Sequence, residues 1–87
     1  MKHAGSAALD ALEPLLTRLR AITPLKEKAR GVFYLKSRAF LHFHEDPSGL
    51  WADIRAPSAT DFDRIRADDE DGPARIIDRV RAAIGPG

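Results

Sequence analysis

The sequence predicts an α+β fold: an antiparallel meander of three to four strands, with an N-terminal and a C-terminal helix packed on one face. Three observations carry this. Apolar residues recur with a period near 3.6 toward both ends, they alternate with a period of two in between, and Asp46-Pro47-Ser48-Gly49 interrupts the alternation with turn chemistry.

The first helix is marked by Leu9, Leu12, Leu16, Leu19 and Ile22 on one side, with Leu15 widening the stripe. Pro14 interrupts it, so either the regular helix starts near Glu13 or an earlier turn from Ser6 or Asp10 enters with a kink. Thr23-Pro24 closes it, because the residue before proline avoids helical angles. The first eight residues are expected to be flexible, with His3 far from the rest.

The segments GVFYLKS, RAFLHFHED and GLWADIR follow, rich in β-branched and aromatic residues. A turn at Asp46–Gly49 sets Glu45 against Leu50, His44 against Trp51, Phe43 against Ala52, His42 against Asp53, Leu41 against Ile54 and Phe40 against Arg55. That register sorts the side chains. Leu41, Phe43, Leu50, Ala52 and Ile54 share one face, and Phe40, His42, His44, Trp51, Asp53 and Arg55 share the other. For the preceding hairpin, a loop of Lys36, Ser37 and Arg38 places Phe33 and Leu35 on the core side and Tyr34 with the aromatics. A two-residue loop would exchange them. ATDFDRIRADD reads as a short charged edge strand, although Phe62 and Ile65 at a spacing of three also suit a helical turn.

The last helix begins at Asp71-Gly72-Pro73, with proline favoured at the first helical position, and carries Ile76, Ile77, Val80, Ala83 and Ile84 on one stripe. Gly85 and Pro86 stop it. The acids of DDED just before it oppose the positive end of its dipole.

At 87 residues the chain is read as one domain, 1–87, that buries only ~60–65% of its unfolded surface and gains from association. The absence of cysteine excludes disulfides and thiolate metal sites and fits a reducing compartment. No apolar run spans a membrane, and Asp10 and Glu13 break any leader-like stretch. A cytoplasmic protein with no membrane partner is expected. The net charge of +1 conceals a basic segment from Arg18 to Arg38, seven basic residues against Glu27, and an acidic one from Asp61 to Asp71, six acids against Arg64 and Arg66.

With both helices on one side, the other side of the sheet presents an interaction face of Tyr34, Phe40, His42, His44, Trp51 and Arg55. Such a face has three uses. Self-association, giving a homodimer, requires no further chemistry and suits its Tyr, Trp, Phe and Arg content. Nucleic-acid contact would combine the rings with Lys26, Lys28, Arg30, Lys36 and Arg38. A metal site at His42, His44 and Asp53 has the H-x-H chelate geometry of a strand but lacks ligands for a closed shell. Catalysis is not expected. A His42–Asp53 pair has no nucleophile beside it, and no glycine-rich phosphate loop is present. No cofactor is implied.

The stretch RGVFYLKSRAFLHFHEDPSGLWADIR resembles, in its hydrophobic rhythm, the meanders of small bacterial domains of the MmcQ/YjbR-like and TfoX N-terminal-like groups. The likeness covers about a third of the chain and has no diagnostic motif. The MmcQ/YjbR-like group is longer, with a C-terminal part absent here. The resemblance implies an α+β fold and a role near nucleic acid, and it transfers no binding residue. The reading as a whole is a non-catalytic binding or self-association module, with nucleic acid as the alternative ligand and metal as a minor one.

Overall fold

A computed structural model describes residues 1–85. In chain order it contains β1 (Lys2–His3), α1 (Ser6–Arg20), β2 (Lys26–Ala29), β3 (Val32–Leu35), β4 (Arg38–Asp46), β5 (Gly49–Ile54), β6 (Asp63–Arg66) and α2 (Gly72–Ile84). The strands form one antiparallel sheet in the order β2-β3-β4-β5-β6, with β1 paired to β4. The α+β class and both helices stand as the sequence predicts, but the sheet has six strands where three or four were expected. Pro86, expected to stop α2, lies outside the described residues.

Both helices bury their stripes on one side of the sheet. Leu12, Leu15, Leu16 and Leu19 of α1 and Ile76, Ile77 and Val80 of α2 join Phe33, Leu35, Leu41, Phe43, Ala52 and Ile54 in a single core. Pro14 sits within α1, which runs unbroken from Ser6. Pro14 and Asp10 are both exposed, which gives the carbonyl that proline leaves without its helical donor a route to solvent. Among the described residues, no helix is long and apolar enough to cross a membrane.

The β4–β5 register matches the expected one from Leu41–Ile54 through Asp46–Gly49. Asp46 makes the turn self-supporting: its Oδ1 accepts hydrogen bonds from the Ser48 amide (2.8 Å) and the Ser48 hydroxyl. Gly49 is required at φ +141, where a side chain would run into Arg66. β6 is an edge strand, as the alternation of Asp63, Arg64, Ile65 and Arg66 suggests.

The β3–β4 hairpin departs from expectation. Leu35 pairs with Arg38, so the loop is two residues, Lys36 and Ser37, both at positive φ (54 and 66) as a type I′ turn requires. That parity alone would turn Phe33 and Leu35 out of the core. A bulge restores it: Phe33 pairs with Leu41 but Tyr34 with Ala39, leaving Phe40 as the extra residue. Consequently Phe40 is not on the open face. It is buried in the core beside Leu41.

The N-terminus is a second difference. Lys2 and His3 pair with Glu45 and His44, the Ala4 amide donates to the Phe43 carbonyl (3.1 Å), and Glu45 accepts from the Gly5 amide (2.6 Å). Residues expected to be flexible thus extend the sheet.

Two predictions follow from this packing. Phe40→Ala should lower stability by about 3–5 kcal/mol, as for other buried aromatics, measured by urea unfolding; an effect no greater than that of an exposed substitution would contradict the bulge. On the helical side, Glu13 accepts hydrogen bonds from Arg30 and Arg20, which hold its carboxyl at about 2, below the ordinary 4.5. A carboxyl depressed in the folded state contributes stability above pH 4.5 and loses it as pH falls toward 2. Glu13→Gln should therefore flatten the acid limb of the unfolding midpoint against pH.

Candidate functional site: the open face of the sheet

Strand alternation sends His42 and His44 of β4, Trp51 and Asp53 of β5, Tyr34 of β3 and Arg64 and Arg66 of β6 away from the helices. Asp53 is 7% exposed and held by two nitrogens of one guanidinium, with Arg64 Nε at 2.8 Å from Oδ1 and Nη2 at 2.9 Å from Oδ2. The Arg64 hydrogen bonds hold its carboxyl below the usual range against the opposing effect of burial.

The rings of this face carry cations. The Arg66 guanidinium lies 5.2 Å from the Trp51 ring, that of Arg55 lies 4.6 Å from the Phe62 ring, and Lys28 Nζ is 5.8 Å from the Tyr34 ring. Trp51 is anchored by its Nε1–H, which donates to Ser48 Oγ at 3.1 Å. Among the described residues, Met1 is the one large apolar side chain left mostly exposed.

A histidine cluster occupies the middle. His42 and His44 have ring centroids 4.8 Å apart. β1 brings His3 to 4.6 Å from His44 and 5.8 Å from His42, and Phe62 meets His42 edge-on at 4.8 Å. His44 Nδ1 is 3.1 Å from Asp53 Oδ2 but out of line for a hydrogen bond. The Nδ1 atoms of His42 and His44 are both buried without a hydrogen-bond partner. Burial pushes both imidazoles below their ordinary pKa, favouring the neutral form.

The basic segment is divided. Arg30 pairs with Asp10 (2.9 Å) and Glu13 (2.8 Å) on α1, and Arg38 donates to the carbonyls of Pro57 and Ala59, so neither contributes to the open face. Lys26 faces Tyr34 across the β2–β3 ladder, and Lys26, Lys28 and Lys36 line a hollow of about 230 Å³ with Pro24, Tyr34 and Ser37. Arg55 remains on the face, its Nε donating to the Ala39 carbonyl at 2.7 Å.

Tyr34, His42, His44, Trp51, Asp53 and Arg55 thus share one side of the sheet, as the alternation of the sequence predicts. Phe40 lies in the core instead, His3 joins this side from the first strand, and Phe62, Arg64 and Arg66 belong to it as well. The alternation of Phe62, Arg64 and Arg66 is the signal that would have found the last three.

Comparisons with protein-family models, curated proteins and solved structures give no match to this chain.

The Asp53–Arg64 pair gives a test of the face's construction. Arg64→Ala leaves a buried carboxylate unpaired and should lower the urea midpoint; adding Asp53→Asn to it should recover part of the loss. Equal midpoints for the wild type and Arg64→Ala would contradict the arrangement.

Proposed function

We propose that the chain is a non-catalytic binding module, acting in the cytoplasm, that holds single-stranded nucleic acid on the open face of its sheet. The observation that carries this is the setting of Tyr34. Three lysines, Lys26, Lys28 and Lys36, surround its half-buried ring, and none has an ion-pair partner among the described residues. A stacking ring with exposed cations beside it suits a base and its flanking phosphates. The arginines farther along the face are engaged instead: Arg64 with Asp53 and Arg66 with Asp68. They shape the surface, and the lysines are left without carboxylate partners. The resemblance of the meander to the MmcQ/YjbR-like and TfoX N-terminal-like groups points the same way.

Self-association through this face is the second reading, favoured by its ring content. Against it, Lys26, Lys28, Lys36 and Arg55 on this face have no ion-pair partner among the described residues, so burying it against a second copy would bring together an excess of positive charge.

Fluorescence anisotropy with labelled oligo(dT) and oligo(U) tests the proposal. Binding should weaken steeply with salt, and each of Lys26→Ala, Lys28→Ala and Lys36→Ala should reduce the log–log salt slope by about 0.7. Tyr34→Ala should cost about 1–3 kcal/mol of affinity for one stacked base. No binding at about 50 mM salt ends the nucleic-acid reading. Light scattering that shows a dimer, lost on Trp51→Asp, would assign the face to a second copy.

A further inference from the structure

The histidine cluster stands apart from the lysine-rimmed end of the face and requires its own explanation. Three imidazoles from two strands converge, and one ring nitrogen from each of His3, His42 and His44 lies within 4.8 Å of the others. His42 and His44 are fixed by β4, whereas His3 is exposed and arrives through its pairing with His44. Packing alone is a poor account of this cluster. Apolar rings would fill the space without stranding polar atoms, yet His44 is 9% exposed and its Nδ1 and that of His42 have no hydrogen-bond partner. A buried nitrogen left unbonded is costly.

We propose that His3, His42 and His44 bind a first-row divalent metal ion of the class that prefers imidazole, represented by Zn²⁺. Three histidines supply three protein ligands and leave one position for water or a further ligand. At metal–nitrogen distances of about 2.0–2.1 Å, tetrahedral ligand nitrogens sit roughly 3.3 Å apart. The cluster therefore closes by up to about 1.5 Å on binding, a movement the exposed His3 ring can supply. The sequence-based ligand set is revised in one member: Asp53 is occupied by Arg64 on both oxygens, and His3 takes its place. Asp53 instead acts from behind. Its Oδ2 lies 3.1 Å from His44 Nδ1, and a small rotation of that ring as its Nε2 takes the ion would bring the Nδ1–H into line with the carboxylate, the arrangement found behind metal-bound histidines. The ion would tie the first strand to the sheet, whatever the lysine end binds.

The test is calorimetric titration of the chelator-treated full chain with ZnCl₂, with Co²⁺ absorption as a check on nitrogen ligation. The expected result is equimolar uptake, a raised unfolding midpoint, and loss of stoichiometric binding in His42→Ala. Asp53→Asn should weaken binding about 10–100-fold. Because changes at buried His42 and Asp53 can disturb folding, His3→Ala is the deciding variant: its side chain is exposed, and circular dichroism establishes that it folds. It should lose equimolar uptake while remaining native. A wild type that takes up no zinc, or a folded His3→Ala that binds zinc as well as the wild type, overturns the proposal.

Discussion

Asp46 accepts two hydrogen bonds from Ser48, and the two-residue turn they stabilise locks β4 to β5 from Asp46–Gly49 to Leu41–Ile54. A strand has only two sides, so this one registration decides whether Phe43 or His44 faces the helices. With Leu41, Phe43, Ala52 and Ile54 committed to the core, the imidazoles, the indole and Asp53 have nowhere to go but the other side. The site is the complement of the core.

The neighbouring strands are fitted to that registration by local adjustments. Phe40 absorbs the parity change that a two-residue β3–β4 loop would impose, so Phe33 and Leu35 still reach the helices. β2 takes a comparable irregularity between Glu27 and Ala29. Glu27 can then reach Arg20 and the Gly31 amide on the helical side, while Lys26 and Lys28 stay beside Tyr34. Charge is sorted by the same geometry: the acids of α1 engage Arg20 and Arg30, and the lysines are left on the far side.

What the sequence disclosed follows from how local each signal is. The helices and the central hairpin were legible because periodicity and turn chemistry lie within a few consecutive residues. Phe40 was misread because an alternating pattern assumes a regular strand, and a bulge leaves no mark on that pattern. β2 escaped notice because Lys-Glu-Lys-Ala lacks the β-branched and aromatic residues that announce a strand. His3 was missed for a different reason. A two-residue strand has no period to detect, and its partner lies some forty positions along the chain. The histidine cluster was therefore two-thirds visible, and the third member depended on tertiary structure.

The pairing of Lys2 and His3 with β4 also governs what can be attached at the amino end. Any peptide joined ahead of Lys2 leaves the domain at the rim of the imidazole group, within reach of whatever that group contacts. A purification handle placed there, above all one made of histidines, would compete with or imitate the native surface.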